Sequence, residues 1–259
     1  MKKLKALCTF ALTAVLALGA VGCGTDNNAG NNAGGEAGKK ITLGTSADYP
    51  PYEYHDTAKG GEVVGFDIEI AKAIADKLGY SVEVKDMDFN GLVPALQAGT
   101  VDFVMAGMTP TAERKQSVDF SDVYFEAKNT IVAKKGSNLK LADDLSGKKV
   151  AVQLGSIQET AAKEMKGLNI VPLNKTGEII QEVKAGRVDA AIIEDTVAKG
   201  FIEANKDLEF NAIPKTEEAG SAIAFPKNSK LTADFNKALK ELKDSGKIEE
   251  LIKKWFEAK

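Results

Sequence analysis

The sequence has very little cysteine and histidine. Its 259 residues include two cysteines, Cys8 and Cys23, and one histidine, His55. Because both cysteines lie within the first 23 residues, the rest of the chain can form no internal disulfide and offers no thiolate nucleophile. A zinc site of His and Cys ligands cannot be built from this set. We therefore expect no metal and no cofactor.

An excess of positive charge is also missing. The formal net charge is −3, with 27% charged and 44% hydrophobic residues. A mildly acidic body has no electrostatic reason to bind nucleic acid. The hydrophobic content is that of an ordinary globular protein, and the length suits one large domain or two small ones.

The first residues lack an apolar run long enough to span a membrane, which takes about 20 residues. Residues 6–21 are 16 uncharged residues, mostly Ala, Leu and Val, and they follow Lys2, Lys3 and Lys5. This pattern is typical of a secretory signal peptide, which we place at residues 1–22. Residues 19–24, GAVGCG, resemble a bacterial lipoprotein box, although Ala20 stands where Leu is usual. The resemblance implies that Cys23 is lipidated and anchors the protein to the cell membrane. The alternative is an ordinary signal peptide followed by an incidental cysteine.

Residues 23–40 lack large apolar side chains after Cys23 and are rich in Gly and Asn up to residue 38. Such a segment cannot bury enough surface to fold, so we interpret it as a flexible tether.

From residue 41 onward the pattern alternates between strands and helices, which favours α/β sheets with parallel strands. The predicted strands are 41–45, 82–84, 101–106, 130–134, 149–154, 170–173, 188–193, 210–213 and 222–225. The predicted helices are 66–78, 91–98, 111–118, 157–166, 177–185, a helix from the end of 188–193 to about residue 205, and the C-terminal segment.

Two segments 87 residues apart resemble each other: 95–102, ALQAGTVD, and 182–189, EVKAGRVD. Each reads as a helix end, a glycine and the start of a strand. The repetition is either chance or the sign of two lobes of similar topology. Ligands of open α/β sheets bind beyond the carboxyl ends of strands. We therefore expect a site at residues 107–109 and 194–195, where the two strands end.

Arg114 is the first candidate ligand residue. Thr109 is predicted to cap a helix with Pro110 in its first position, which would leave amide groups free for an anion. Arg114 on that helix can grip a carboxylate with two hydrogen bonds. The alternative is a solvated arginine on a surface helix.

Asp195, Ser156 and three aromatic residues complete the candidates from local sequence. Asp195 can receive an ammonium group or cap the helix that follows it. Ser156 forms a capping box with Glu159 by spacing, and it faces the expected cleft. Tyr49, Tyr52 and Phe89 follow strands and either wall a ligand side chain or pack loops.

Taken together, these residues resemble the amino-acid-binding receptors of ABC importers, the bacterial extracellular solute-binding proteins of family 3. The resemblance runs from about residue 41 to residue 256. Its motifs are Gly44-Thr45, YPPY at 49–52, VGFDI at 64–68, DFNGL at 88–92, AGMT at 106–109 with Arg114, VDFS at 118–121, VQLGS at 152–156, Asp195 and KKWF at 253–256.

The resemblance implies a two-lobed periplasmic-binding-protein-like fold of type II. Each lobe has a central, mostly parallel sheet flanked by helices, and two hinge crossings lie near residues 127–131 and 220–224. One lobe combines residues 41–129 with 224–259, and the other spans 130–223. The implied ligand is a free amino acid, which the receptor delivers to a membrane-embedded ABC permease. A monomer is expected.

The resemblance also implies roles for the candidate residues. Arg114 and Thr109 hold the α-carboxylate, Asp195 holds the α-ammonium, and Gly107 and Ser156 add backbone or hydroxyl contacts. Tyr49, Tyr52 and Phe89 wall the side chain. Several members that bind basic amino acids or glutamine carry Asp where this chain has Ser46. That departure leaves Gln153 and Glu194 as the polar residues near the side-chain end, so the ligand is polar, basic or glutamine-like.

Two other functions fit the same fold. Some relatives are dehydratase-type enzymes, and this chain offers Glu194 as a candidate acid or base without an obvious partner. A ligand-sensing domain is the second, and it would be fused to a transmembrane and signalling part. We expect a receptor that carries out no chemistry.

Overall fold

A computed structural model describes residues 39–213 and 219–257. Its strands are β1 (Lys39–Thr45), β2 (Asp48–Tyr49), β3 (Glu53–Asp56), β4 (Glu62–Val64), β5 (Tyr80–Asp86), β6 (Phe103–Val104), β7 (Val118–Phe120), β8 (Phe125–Ala127), β9 (Asn129–Lys134), β10 (Lys149–Gln153), β11 (Asn169–Leu173), β12 (Ala190–Glu194), β13 (Leu208–Ala212), β14 (Ala219–Ser221) and β15 (Ala224–Pro226).

The helices lie between these strands and at the C-terminal end. They are α1 (Phe66–Lys77), α2 (Leu92–Gln97), α3 (Arg114–Ser117), α4 (Ile157–Glu164), α5 (Thr176–Ala185), α6 (Asp195–Ala204), α7 (Leu231–Asp244) and α8 (Lys247–Ile252). Short 3₁₀ turns span Thr57–Lys59, Phe89–Gly91 and Ala142–Leu145, and a π-helical turn, Lys253–Glu257, follows α8.

Two five-stranded sheets form the centres of two lobes. The first sheet has the order β5-β1-β6-β15-β7, and the second has the order β11-β10-β12-β9-β13. In the first sheet β15 runs antiparallel to both of its neighbours, and in the second β9 does. The other pairs are parallel. Each sheet is therefore mostly parallel, and the reversed strand is the fourth strand in both orders.

The sequence repetition at residues 95–102 and 182–189 reflects this shared topology. Gly99 and Gly186 both take positive φ angles, 67° and 72°, at the end of a helix. A carboxylate oxygen of Asp102 accepts a hydrogen bond from the Thr42 amide in β1, at 2.7 Å. Asp189 does the same for the Lys149 amide in β10, at 2.8 Å. The prediction of two lobes of similar topology is confirmed by these matching contacts.

The chain passes between the two sheets twice. The first passage joins β8 to β9 across residues 127–129, and the second joins β14 to β15 across residues 221–224. β8 and β14 pair with each other as a two-stranded antiparallel sheet. The reversed strands β9 and β15 are the strands that directly follow the two passages.

Helix α1 shows how the amphipathic pattern builds the first lobe. Its buried face includes Ile70, Ala71, Ile74 and Ala75, at the spacing expected for one side of a helix. The helix ends before Gly79, whose φ of 74° is costly for other residues. The predicted helix 66–78 is thus confirmed.

Two predicted elements are shorter than expected. The strand predicted over 101–106 pairs only at Phe103–Val104, and the helix predicted over 111–118 covers only Arg114–Ser117. Thr109 does not cap that helix, so this prediction is wrong. The residue at the cap is Glu113, and the Thr111 hydroxyl accepts the hydrogen bond from the Arg114 amide at 3.2 Å. The sequence analysis also missed the small antiparallel sheet of β2, β3 and β4.

Within the described residues, no helix has the length and apolar character needed to cross a membrane. The predicted signal peptide, the lipidation site Cys23 and almost all of the predicted tether lie outside the described residues.

Candidate ligand-binding site

A cavity lies between the two lobes, at the carboxyl ends of their central strands. The first lobe contributes Tyr49, Phe89, Ala106, Gly107, Thr109 and Arg114, and the second contributes Gln153, Ser156, Ile157, Gln158 and Glu194. Gln153 ends β10 and Glu194 ends β12, while Gly107 follows β6. This is the position at which open α/β sheets bind ligands.

Arg114 enters the cavity from the first lobe, and it forms no ion pair within the part of the chain that the structure describes. Its two terminal nitrogens donate to the carbonyl oxygens of Thr109, at 2.8 Å, and of Gly155 in the second lobe, at 2.9 Å. Its guanidinium carbon lies 5.3 Å from the centre of the Phe89 ring. Burial lowers the pKa of Arg114 to about 10, so the group stays charged at neutral pH. A buried guanidinium with unused donors fits a carboxylate ligand.

Glu194 enters from the second lobe, and no cationic side chain among the described residues pairs with it. The side chain is 3% exposed, and its two oxygens accept hydrogen bonds from the hydroxyls of Tyr49 and Tyr52, each at 3.2 Å. Both distances are long for O–H···O bonds, so the carboxylate is weakly satisfied. Burial raises the pKa of Glu194 to about 8, although the two tyrosine hydrogen bonds oppose the shift. A cationic ligand group would compensate this carboxylate.

Asp195 does not line the cavity, in contrast to its expected role. One of its carboxylate oxygens accepts hydrogen bonds from the Thr196 amide, at 2.9 Å, and from the Lys128 amide, at 3.2 Å. These contacts hold the start of α6 against the passage between β8 and β9. Glu194, which the sequence analysis assigned to the side-chain end, is the acid that faces the cavity.

Tyr52 and Ser46 also lie behind the cavity wall. Tyr52 is 0% exposed, and its ring stacks on that of Tyr49 with centres 5.6 Å apart. It therefore supports Tyr49 and Glu194 without lining the cavity. Ser46 is 1% exposed and donates a hydrogen bond to Asp48 at 2.9 Å.

Gly107 and Ser156 line the cavity, but most of their polar groups are already used. The Gly107 amide donates to Asp67 at 2.9 Å. The Ser156 hydroxyl donates to the Gln153 carbonyl, at 2.7 Å, and accepts from the Glu159 amide, at 3.1 Å, which is the cap that the sequence predicted. By contrast, the Thr109 hydroxyl has no hydrogen-bond partner among the described residues, so it is available to a ligand.

Glycine at position 107 is favoured by the backbone conformation. Its φ is 56°, in the left-handed region, and a Cβ there would lie 3.5 Å from the Tyr49 ring. A side chain at this position would fill the space beside the aromatic wall of the cavity.

The sequence analysis missed Ala106, Ile157 and Gln158. The Gln158 amide nitrogen donates to the side-chain oxygen of Asn129 at 2.8 Å, which places the amide under the cavity. The only sequence signal for Ile157 and Gln158 was their position in the first turn of a helix that follows a strand. An ordinary helix start explains that signal equally well.

The fold and the cavity define a two-lobed α/β protein with a cavity between its lobes. The sequence model for bacterial extracellular solute-binding proteins, family 3, matches residues 41–258. The chain belongs to this family. The predicted fold class is therefore confirmed, and the protein is an extracytoplasmic receptor that binds an amino acid for an ABC importer.

Individual relatives agree with this membership. The arginine-binding extracellular protein ArtP of Bacillus subtilis (strain 168) is 53% identical over 254 residues, which cover 96% of this chain and 93% of the relative. The crystal structure of a substrate-binding protein of an amino acid ABC transporter is similar with a TM-score of 0.82 and 48% identity, covering 85% of this chain and all of that one.

A third relative was solved with its ligand. The substrate-binding protein AbpA of Streptococcus pneumoniae, bound to L-arginine, is similar with a TM-score of 0.81 and 38% identity. The match covers 84% of this chain and 94% of that protein.

Proposed function

We propose that the receptor binds a cationic amino acid, with L-arginine as its ligand. The observation that carries this proposal is a pair of ionisable groups in the cavity that lack ionic partners. Arg114 offers a cation from one lobe and Glu194 a carboxyl group that a bound cation would ionise from the other, and neither has an ionic partner among the described residues. An amino acid supplies a carboxylate and an ammonium group a short distance apart, which matches this pair. Two of the relatives support the choice, since one is an arginine-binding protein and the other was solved with bound L-arginine.

The α-carboxylate is assigned to Arg114 and the free Thr109 hydroxyl, and the α-ammonium to Glu194. The ligand side chain then lies between the rings of Tyr49 and Phe89, near Gln153. An arginine side chain suits such a slot because a guanidinium stacks favourably on aromatic rings. This assignment moves the ammonium contact from Asp195 to Glu194, because the Asp195 carboxylate is held by backbone amides.

The first experiment is a thermal-shift screen of the twenty amino acids, followed by calorimetry. A ligand at 100 times its dissociation constant stabilises the fold by about 2.7 kcal/mol. We expect L-arginine to give the largest shift and the lowest dissociation constant. If an acidic or an apolar amino acid binds more tightly than arginine, the proposal is wrong.

The receptor is further proposed to leave its ligand chemically unchanged. Glu194 faces the cavity, and its two carboxyl oxygens contact the hydroxyls of Tyr49 and Tyr52. Family membership supports the same reading. Mass spectrometry of recovered L-arginine after long incubation is expected to find it intact.

Cell-surface attachment through a lipid on Cys23 is proposed from sequence, with residues 24–40 as the tether. The lobes are proposed to comprise residues 41–129 with 224–259, and residues 130–223. This division is supported by the two passages of the chain between the sheets. The receptor is proposed to act as a monomer.

A further inference from the structure

Outside the cavity, three consecutive residues of the second lobe reach across to the first. Asn174 donates its side-chain amide to one oxygen of Asp88, at 2.9 Å, and the Lys175 ammonium lies 3.1 Å from the other. The next residue, Thr176, donates its backbone amide to Asp48. Thr176 is the first residue of α5, where the backbone amides have no partner within the helix. The Asp48 carboxylate therefore accepts a hydrogen bond from an amide group that has no acceptor within α5.

The two acceptors are placed beside the aromatic wall of the cavity. Asp48 directly precedes Tyr49, and Asp88 directly precedes Phe89. The Ser46 hydroxyl donates to the second oxygen of Asp48 at 2.9 Å, which fixes this carboxylate in place. Any movement that separates Thr176 from Asp48 therefore moves the second lobe away from the aromatic wall.

The segment 174–176 is also connected to the ligand side of the second lobe. Gln153, which lines the cavity, donates its side-chain amide to the Asn174 carbonyl oxygen at 3.3 Å. Asp48, Asp88 and residues 174–176 do not themselves line the cavity. They lie one residue or one hydrogen bond away from residues that do.

We propose that Asp48, Asp88 and residues 174–176 form a latch that holds the lobes together around the bound amino acid. The inference rests on the proposed function, because it concerns retention of that ligand. Since the latch exists only when the lobes meet, it stabilises the closed arrangement alone. A ligand that binds the closed arrangement gains apparent affinity as that arrangement becomes more populated.

This role differs from that of a ligand contact in two measurable ways. Latch residues do not touch the ligand, so their removal weakens every ligand by the same factor. Their loss also acts mainly on dissociation, because the latch forms after the ligand has entered the open cleft. A residue that contacts the ligand side chain would change the order of preference among ligands.

The test measures dissociation constants for L-arginine and L-glutamine by calorimetry, and dissociation rates by chase of radiolabelled L-arginine. Asp88→Ala and Lys175→Gln are each expected to weaken binding about two- to fivefold, as for a partly exposed ion pair. The double variant should bind L-arginine and L-glutamine no more weakly than Asp88→Ala alone. High salt should reduce the wild-type affinity towards that of the variants.

Two variants of Asp48 separate the contribution of its hydrogen-bond acceptor from the contribution of its negative charge. Asp48→Ala is expected to weaken binding about tenfold, because a charge-assisted hydrogen bond is lost. Asp48→Asn keeps an acceptor and should recover part of that loss. Thr176→Pro removes the donor, while proline is tolerated at the first helical position and the Lys175 angles, φ −114° and ψ 132°, suit a residue before proline.

Lys40→Gln is the matched control, since it breaks an ion pair of 2.7 Å with Glu83 inside the first lobe. It should leave affinity and dissociation unchanged. The latch is rejected if the Asp48 and Asp88 variants release arginine at the wild-type rate, or if they weaken arginine and glutamine by different factors. If the wild type binds no amino acid, the proposed function fails instead. The latch is then judged by fluorescence energy transfer between the lobes, where Asp48→Ala and Asp88→Ala must increase their separation.

Discussion

Arg114 and Glu194 face one cavity from opposite lobes, and each is an ionisable group without an ionic partner among residues 39–213 and 219–257. Leaving a charge buried and uncompensated is costly. A ligand that carries both a carboxylate and an ammonium group relieves the two costs together. In the proposed site, the pair would account for the binding of a zwitterion between the lobes.

Replacing Arg114 with alanine is expected to weaken L-arginine binding by about 3 kcal/mol, or roughly a hundredfold, because the ligand carboxylate loses its buried partner. Arg114→Lys keeps the charge but not the two-pronged geometry, and it should recover only part of the affinity. Calorimetry gives both values. Equal affinity in the alanine variant and the wild type would remove Arg114 from the site.

Glu194→Gln tests which cationic group of the ligand meets this carboxylate. If Glu194 holds the α-ammonium, the substitution weakens L-arginine and L-glutamine by similar factors, since both carry that group. The expected loss is about 3 kcal/mol for each. A large loss for arginine alone would instead assign Glu194 to the guanidinium. Asp195→Asn is the matched control and should change affinity little, because its carboxylate does not line the cavity.

The pKa of Glu194 predicts a pH dependence of binding. In the free receptor burial raises this pKa to about 8, so the group is mostly protonated below pH 8. A bound ammonium favours the ionised carboxylate, and binding then releases a proton. Affinity should accordingly rise as the pH increases from 6 to 8. Calorimetry in buffers of different ionisation enthalpy counts the proton, and Glu194→Gln should abolish most of the release.

The sequence could predict the repeated topology because local signals encode it. A helix end, a glycine with positive φ and a Val-Asp pair directly before a strand occur twice, and Asp102 and Asp189 make the same contact in both lobes. The small sheet of β2, β3 and β4 escaped notice because its strands are two to four residues long. Strands of that length carry almost no periodic pattern.

The choice between Glu194 and Asp195 could not be made from sequence. Side chains alternate along a strand, so neighbouring residues at its end point in opposite directions. The predicted strand ended at residue 193, whereas the buried run of β12 continues through Glu194. The position of this strand end therefore decides which of the two neighbouring acids faces the cavity. Contacts such as Thr176 with Asp48, 128 residues apart, leave no local signal at all.

The proposed lipid anchor is tested at Cys23. In cells that express the wild-type chain, the receptor should fractionate with membranes, because a lipidated cysteine with a second lipid chain anchors stably. Cys23→Ser should instead be found in the soluble extracytoplasmic fraction. Cys8→Ser, within the predicted signal peptide, serves as the control and should not change the fractionation. Identical partitioning of wild type and Cys23→Ser would contradict the anchor.

Ligand is expected to draw the two lobes together. A carboxylate on Arg114 and an ammonium on Glu194 are satisfied at once only when both lobes contact the ligand, so their combined energy is available to the closed arrangement alone. Such differential affinity is what a ligand-driven shift requires. The motion should be a hinge at the passages across residues 127–129 and 221–224, with each lobe moving as a rigid body.

Small-angle X-ray scattering measures this closure as a smaller radius of gyration with saturating L-arginine. Arg114→Ala and Glu194→Gln separate the contributions of the two lobes. Each variant, saturated with ligand at the higher concentration it needs, should close less completely than the wild type, because one lobe has lost its charged contact. If either variant closes as fully as the wild type, that residue does not couple the ligand to its lobe.

An unchanged scattering curve in the wild type would mean that the free receptor is already closed. In that case the open arrangement should appear in the Asp48→Ala variant without ligand.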